Sequence, residues 1–298
     1  MSAGATVAPG ADTGRSGRAP RTAAPPTEID AILSTLPPRQ CRRPWAKLAR
    51  TARSSLLGHV RVPTPARFGR LRRDGNIPYR LGVTYTGAVT PGGPAATREL
   101  NELTITKQSV GFLDNNAYLL RCRQTGKQLL IDAADEAGKL LDLIGDAGLS
   151  AVVTTHRHAD HWQALAEVVS ATGAESIAHP DDAEELPVVT RTVTDGDVIQ
   201  VGLCQLEVIH LVGHTPGSIA LLYRDPTGAP HLFTGDSLFP GGPGRTTGGD
   251  DFDSLMHDLQ TKVFDRLPDE TWFYPGHGND STLGAERPAI PDWLARRW

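Results

Sequence analysis

From residue 103 onward, short apolar runs alternate with polar, glycine-containing turns, a pattern typical of successive strands. Strands are predicted at residues 103–110, 117–123, 128–131, 151–155, 176–178, 205–211, 219–223, 231–234 and 272–274. Apolar positions recur at helical spacing at residues 135–147, 162–169 and 252–264. Strands mixed with intervening helices predict an α/β fold in which two sheets pack together with helices outside.

The start of the chain has a different pattern. Residues 1–27 are rich in Ala, Gly, Pro, Thr and Arg and nearly lack bulky apolar side chains, so we expect disorder there. Residues 39–60 instead predict a basic amphipathic helix, whose apolar face carries Trp45, Leu48, Ala52 and Leu56. We therefore predict a basic, disordered N-terminal extension over 1–82 and a catalytic domain over 83–298.

Charge divides the chain at about the same place. Residues 1–100 hold 16 Lys and Arg against 5 Asp and Glu, whereas residues 101–298 hold 14 against 29. Three interpretations of the extension stay open. It could lie on an anionic membrane or nucleic acid, or act as an organelle transit peptide. The third is a wrongly extended start before Val83. The chain has 25 Arg against 5 Lys, as GC-rich coding DNA would produce, and such DNA read upstream of a true start would yield an Arg-rich segment of this kind.

Composition limits which cellular compartment and which kinds of binding partner we expect. No apolar run reaches the 18 or more residues of a membrane span, and no apolar signal region stands near the start. Cys41, Cys122 and Cys204 are widely spaced and odd in number, which favours free, buried thiols in a reducing compartment. We expect a cytoplasmic protein that binds a small molecule, with neither nucleic acid nor membrane as partner and with its oligomeric state open.

Residues 156–161, with the sequence His-Arg-His-Ala-Asp-His, concentrate more candidate metal ligands than any other segment. They connect a predicted strand to a predicted helix. Because His156 and His158 alternate, they face one side of an extended chain, while Asp160 and His161 follow at the turn. Two pairs of ligands for two divalent metals are predicted. The alternatives are a solvated polar loop or an aspartate that only caps the helix.

Three more candidate ligands follow predicted strands later in the chain. His214, Asp236 and His277 each stand in a tight turn flanked by Gly or Pro, where little side-chain bulk would obstruct a metal. The other histidines are expected to be packing or solvated residues rather than ligands: His59, His179, His210, His231 and His257.

The segments H-x-H-x-D-H, G-H-T-P-G-S, T-G-D-S-L-F and P-G-H-G occur in the order found in one family. Over residues 83–298 the chain resembles the metallo-β-lactamase superfamily, and within it the glyoxalase II-like branch. The resemblance implies a four-layer αβ/βα sandwich with its site at one edge.

The resemblance also implies ligand roles. A first metal would be held by His156, His158 and His214, and a second by Asp160, His161 and His277, with Asp236 bridging the two. Asp160 and Asp236 are the expected catalytic residues. Only 21 residues follow His277, at most one short helix, whereas glyoxalase II carries a helical glutathione-binding domain there. Recognition of glutathione in that manner is therefore not expected.

Site chemistry favours hydrolysis. Two divalent cations about 3.5–4 Å apart lower the pKa of a bridging water towards neutrality, so hydroxide is the expected nucleophile. Zinc is the expected metal, with iron or manganese as alternatives, and a thioester the expected substrate. A lactone hydrolase on the same metals stays open, as does a non-enzymatic interaction module. So does a mononuclear iron persulfide dioxygenase using mainly His156, His214 and Asp236.

Overall fold

A computed structural model describes residues 85–297. The predicted extension over 1–82, with its amphipathic segment, Cys41 and His59, lies outside the described residues. No helix among residues 85–297 combines the length and the apolar character needed to cross a bilayer.

The first half of the described chain builds a seven-stranded sheet and three helices. The sheet follows chain order, antiparallel from β1 to β4 and parallel from β4 to β7. Parallel neighbours need crossover connections, and the helices supply them. In chain order the elements are β1 (Ala96–Glu99), β2 (Leu103–Val110), β3 (Asn115–Cys122), β4 (Gln128–Ile131), α1 (Ala137–Ile144), β5 (Ala151–Val153), α2 (Leu165–Thr172), β6 (Glu175–Ala178), α3 (Pro180–Ala183) and β7 (Arg191–Thr192).

The second half builds a six-stranded sheet in the order β15-β14-β11-β10-β9-β8, with a separate two-stranded ribbon of β12 and β13. Its elements are β8 (Val198–Val201), β9 (Cys204–His210), β10 (Ile219–Tyr223), β11 (His231–Gly235), β12 (Leu238–Phe239), β13 (Gly242–Pro243), α4 (Gly249–Asp258), β14 (Trp272–Pro275), β15 (Ser281–Thr282), α5 (Leu283–Glu286) and α6 (Ile290–Arg296).

Three apolar clusters define four layers. One lies between the two sheets and joins side chains such as Leu120 and Phe233. A second packs α1 and α2 on the outer face of the first sheet, and a third packs α4 and α6 on the outer face of the second. The predicted helix–sheet–sheet–helix sandwich is confirmed. Its inner strands, such as β4, β10 and β11, are buried on both faces, which explains why they show continuous apolar runs in the sequence.

Three predicted helices have different bounds. The one placed at 162–169 begins at Leu165, because Trp162 closes a short 3-10 turn and its indole donates to Arg157 O at 2.7 Å. The one placed at 135–147 is α1 followed by a 3-10 turn over Gly145–Ala147. The one placed at 252–264 begins at Gly249 and ends in a wider π-helical segment, Leu259–Phe264.

The chain after His277 is more helical than predicted. Instead of at most one short helix, α5, a 3-10 turn (Arg287–Ala289) and α6 follow in succession. The buried Trp293 of α6 stacks edge-on against Phe264. Packing on the domain therefore stabilises helices that are too short to form alone.

Candidate metal centre

All seven predicted ligands stand in loops at one edge of the sandwich. The segment after β5 supplies four, in an extended His156–His158 stretch followed by a 3-10 turn over Ala159–His161. The loops after β9, β11 and β14 supply His214, Asp236 and His277. Because these strands end at the same edge, residues up to 121 positions apart in the chain meet there.

The first group is His156, His158 and His214, whose ligand atoms all lie within 4.8 Å of one another. The Nε2 atoms of His156 and His214 are 3.3 Å apart. The three rings meet edge to face, with interplanar angles of 90°, 74° and 84°. Nitrogen lone pairs lie in the ring plane, so edge-on rings can direct them at a common point.

The second group is Asp160, His161 and His277. The Nε2 atoms of the two histidines are 3.3 Å apart. Asp160 Oδ2 lies 3.7 Å from His161 Nε2 and 3.4 Å from His277 Nε2. A nitrogen, a nitrogen and an oxygen thus face one point.

Asp236 lies between the two groups. Its Oδ1 is 3.4 Å from His161 Nε2 in the second group. Its Oδ2 is 3.8 Å from His214 Nε2 in the first group and 3.5 Å from His277 Nε2 in the second. One carboxylate is therefore shared between both sets of ligand atoms.

Four of the five histidines are oriented by a hydrogen bond on the far ring nitrogen. The Nδ1 atoms of His161, His214 and His277 donate to Asp132 Oδ2 at 2.9 Å, Arg245 O at 2.7 Å and Leu113 O at 3.0 Å. That of His156 lies 3.1 Å from Thr155 Oγ1. Protonated Nδ1 leaves each Nε2 with a free lone pair facing the centre, the tautomer that metal binding needs.

Burial and the mutual charges of these groups set their pKa values. Burial lowers the pKa of His156 and of His214, against the raising effect of Asp236. Burial also opposes protonation of His161, but Asp236 and Asp132 outweigh it and raise its pKa. Burial would raise the pKa of Asp236, yet His161, His277 and His156 together outweigh burial and hold it well below its usual range. Asp236 is thus ionised and is stabilised by positive charge nearby.

Divalent metals fit this arrangement. Asp236 Oδ1 is buried and has no hydrogen-bond partner within the described part of the chain, a costly state for a carboxylate oxygen without a cation. Two nitrogens bound at about 2.0–2.1 Å to a tetrahedral metal lie about 3.3–3.4 Å apart, which matches both short Nε2–Nε2 distances. At Gly276 a Cβ would stand 2.1 Å from Asp236 Oδ1, so only glycine leaves this space open.

Two supporting aspartates escaped the sequence analysis. Asp132 accepts from His161 and from both the backbone amide and the hydroxyl of Thr155. Asp182 accepts from the amides of Arg157 and Gly217 and so ties the loop after β5 to the loop after β9. A sequence signal existed for Asp132, which directly follows β4 as the ligands follow their strands, whereas none marked Asp182.

A buried ion pair supports the loop that carries His277. Lys107 Nζ lies 2.6 Å from Asp280 Oδ1, with both side chains fully buried, and it also donates to Gly278 O and Gly87 O. The hydroxyl of Tyr85 donates to the other Asp280 oxygen at 2.7 Å. The first described residues are therefore fastened to the ligand loop.

A cavity of about 340 Å³ opens beside the first group, lined by His158, His214, Arg245, Thr246 and Thr247. Arg245 is exposed there, so the cavity presents a cation to solvent. On the other side the β2–β3 hairpin reaches the centre through Leu113 O, and its tip exposes Phe112 to 84 %. Polar and apolar surfaces thus flank the ligands.

The histidines expected not to bind metal are placed elsewhere, among them His231 in β11 and His257 in α4. His179 and His210 form a further group with Asp181, whose ligand atoms lie within 4.8 Å of one another. Their rings are stacked, with centroids 3.9 Å apart and 23° between planes. Near-parallel rings do not aim their lone pairs at one point. This supports the prediction that His179 and His210 bind no metal, which no direct observation tests.

The chain is similar in sequence to a known protein family and to several of its members. The family model of the metallo-beta-lactamase superfamily matches residues 110–277. A hydroxyacylglutathione hydrolase of Polaromonas sp. is 39% identical over 165 residues, covering 55% of this chain and 62% of the relative. The chain thus spans less than two thirds of the length of such relatives. An uncharacterized protein, ML0493, of Mycobacterium leprae is 32% identical over 218 residues, covering 63% of this chain and 98% of the relative.

Solved structures agree. ETHE1 from Myxococcus xanthus has a TM-score of 0.57 and 28% identity, covering 64% of this chain and 84% of that one. TTHA1623, solved in a di-iron-bound form, has a TM-score of 0.51 and 33% identity, covering 60% and 95%. The match to the family model, over more than half of the chain, confirms the predicted resemblance. This protein belongs to the metallo-β-lactamase superfamily.

Proposed function

We propose that the protein is a dinuclear metal-dependent hydrolase that cleaves a thioester. The observation that carries the proposal is the position of Asp236, which turns one oxygen towards the second ligand group and the other towards both groups. A carboxylate placed in this way can bridge two cations. Its buried, unpaired Oδ1 is difficult to explain otherwise.

The ligand roles follow the two groups. His156, His158 and His214 would hold one metal, Asp160, His161 and His277 the other, and Asp236 would contact both. When bound, such cations supply Lewis-acid chemistry: they lower the pKa of water and polarise a carbonyl oxygen. Zinc suits the imidazole and carboxylate donors, and so do iron and manganese. TTHA1623, which is similar to this chain, was solved with two irons.

Asp160 has a further role in the proposal. Asn115 Nδ2 donates to its Oδ2 at 3.0 Å, and its side chain keeps 24% of its surface exposed. Burial would raise its pKa, but Asn115 and His161 outweigh burial and lower it. Asp160 is therefore an ionised carboxylate at the open face, where it can accept a proton from an attacking water and deliver it to a departing thiolate.

The surroundings favour an anionic acyl substrate. Arg245 lines the cavity beside the first group and can receive a carboxylate, and Thr246 and Thr247 line the same space. Exposed Phe112 offers an apolar surface on the opposite side. Relatives named hydroxyacylglutathione hydrolase support a thioester rather than a lactone. For this chain we propose only that it cleaves the same class of bond, a thioester.

Metal analysis combined with a substrate panel tests the proposal. We expect two metal ions per chain and hydrolysis of 2-hydroxyacyl thioesters without consumption of oxygen, at rates well above those for lactones. Arg245→Gln should raise KM for a carboxylate-bearing thioester and leave KM for a neutral one unchanged. One iron per chain with oxygen consumption would instead establish a dioxygenase, and faster lactone cleavage would replace the thioester assignment.

A further inference from the structure

Two cysteines from different sheets meet at the end of the sandwich away from the metal centre. Cys122 is the last residue of β3, whose first residue, Asn115, contacts Asp160. Eight extended residues span about 23 Å at roughly 3.3 Å per residue. Cys204 is the first residue of β9, whose other end leads to His214. Neither thiol can therefore belong to the centre already described.

Cys122 and Cys204 approach each other closely enough to line one cavity, and both are buried free thiols. Cys204 Sγ also donates to Glu102 O at 3.5 Å. The turn between β8 and β9 makes this approach possible, because Gly202 has a φ of +63° and a Cβ there would stand 2.9 Å from Cys122 Sγ. Thus the fold brings together two thiols that are 82 positions apart in the chain.

The environments of the two thiols differ. Burial raises the pKa of Cys122, but the hydroxyl of Thr125 and backbone amides of the surrounding turns outweigh burial and lower it to about 6. Burial and the neighbouring Cys122 raise the pKa of Cys204 to about 12. At neutral pH one sulfur is a thiolate, while the other keeps its proton. This asymmetry is typical of exchanging dithiols, in which one thiol attacks and the other resolves.

The pair borders open space. A cavity of about 490 Å³ is lined by both cysteines, and an adjoining one of about 530 Å³ shares Glu102, Leu203 and Cys204 with it. The second cavity is also lined by Tyr223, whose buried hydroxyl has no hydrogen-bond partner among the described residues. The thiols are thus covered by the fold but face open space.

We propose that Cys122 and Cys204 form an oxidisable dithiol site that exchanges with low-molecular-weight disulfides, Cys122 as the attacking thiol and Cys204 as the resolving thiol. The thiolate of Cys122 attacks one sulfur of the disulfide, whose S–S bond breaks and releases one small thiolate. Cys204 then loses its proton to solvent and attacks Cys122 Sγ, which releases the second small thiolate. Both thiolates take up protons, so two cysteines are oxidised to one protein disulfide and one small disulfide is reduced to two thiols.

The experiment uses the metal-loaded full chain with Cys41→Ser, so that only the pair can react, and 2-hydroxyethyl disulfide as the probe at pH 7. We expect the mass of the chain to fall by two hydrogens while two equivalents of 2-mercaptoethanol appear. Joining the two sheets by a bond should also raise the thermal midpoint. Cys204→Ser should stop the reaction at a mixed disulfide on Cys122, identified by peptide mapping.

The order of attack is tested by Cys122→Ser. A thiol with a pKa of about 12 has about 10⁵-fold less thiolate at pH 7 than one with a pKa of about 6. Greater nucleophilicity, with a Brønsted coefficient of about 0.4–0.5, offsets part of this deficit, so we expect this variant to react about 100–400-fold more slowly. Thr125→Val leaves both thiols in place and should move the pH midpoint of Cys122 alkylation upward. Equal rates for the two cysteine variants, a wild-type pair that ends as two mixed disulfides, or reaction only in denaturant would each overturn the proposal. Unchanged metal content confirms that each variant is folded.

Discussion

Two clusters of histidine and aspartate in this protein satisfy the same distance test but differ in ring geometry. In the candidate metal centre, the imidazoles of the first group meet edge to face at 74–90°. In the second cluster, His179 and His210 stack at 23° beside Asp181. Both bring three possible ligand atoms within 4.8 Å. Lone pairs converge only in the first, since they lie in the ring planes.

The hydrogen bonds also distinguish the two clusters, because they leave ring nitrogens free at the metal centre but occupy them in the stack. Around the centre, acceptors take up the Nδ1 protons and leave the Nε2 atoms free to face each other. In the stack, His179 Nδ1 accepts from Asp181 N and His210 Nε2 donates to Pro216 O at 2.7 Å. Those nitrogens serve the fold, His179 as the cap of α3. From this difference we predict that proximity of ligand residues is not sufficient for a metal site and that the free nitrogens must also converge.

Asp236→Ala should have the largest effect. Among the described residues it removes the one carboxylate that both ligand groups share, so the cations would repel each other without an anion between them. We expect fewer than two metals per chain by elemental analysis and turnover near background. Asp181→Ala, in the stacked cluster, is the matched control and should keep both. If Asp236→Ala retains two metals and most of its activity, the bridging role is wrong.

Asp132→Asn tests the support behind the ligands. Asp132 fixes the His161 ring and receives two further hydrogen bonds from Thr155. Removing such an outer partner typically lowers metal affinity 10–100-fold, which competition with a chromogenic chelator would measure. Asp181→Asn should leave affinity unchanged. Equal affinities for both variants would show that Asp132 has only a structural role.

Shortening the chain tests the proposed boundary of the catalytic domain. A chain that starts at Val83 retains Tyr85 and Gly87 and should bind two metals and turn over at near full rate. A chain that starts at Ala88 loses the hydrogen bonds of Tyr85 and Gly87 to the Lys107–Asp280 pair, so we expect weaker metal binding through the His277 loop and a lower thermal midpoint. Insolubility or inactivity of the Val83 chain would mean that the preceding residues are needed.

His210→Ala should leave metal content and turnover unchanged, since the stack is predicted to hold no metal. Loss of the ring contact should lower the free energy of unfolding by about 0.5–1.5 kcal/mol, measured by denaturation in urea. A fall in metal stoichiometry in this variant would overturn the distinction drawn between the two clusters.

The smallest expected effect is a pH dependence of the stack. Burial, followed by the neighbouring His210, lowers the pKa of His179. The unfolded chain, with a histidine pKa of about 6.5, then binds a proton more readily than the folded one, so stability is full above that pH and falls as the pH drops below it. His179→Asn should reduce the difference in stability between pH 7.5 and pH 5.5. If the variant shows the same difference as the unchanged chain, His179 does not contribute to it.

The predicted strands were close to the observed ones because their apolar runs are buried on both faces; 128–131 and 219–223 agree to the residue. Short edge strands such as β1 and β8 were missed. Their alternating exposure leaves too few apolar residues for a recognisable run. Helix starts were misplaced where a side chain, such as that of Trp162, bonds to a local carbonyl and delays the helix.

The sequence by itself determined the α/β alternation and the candidate ligands that follow buried strands, and the resemblance of its motifs indicated the superfamily and the seven residues that meet. Only the tertiary structure decided how they meet. Ring orientation, the two-sided position of Asp236 and the support from Asp132 depend on contacts between loops far apart in the chain. The same holds for the approach of Cys122 and Cys204, which come from different sheets, to one cavity. Spacing along a chain encodes periodicity, but the direction of a lone pair or a thiol is fixed only by packing.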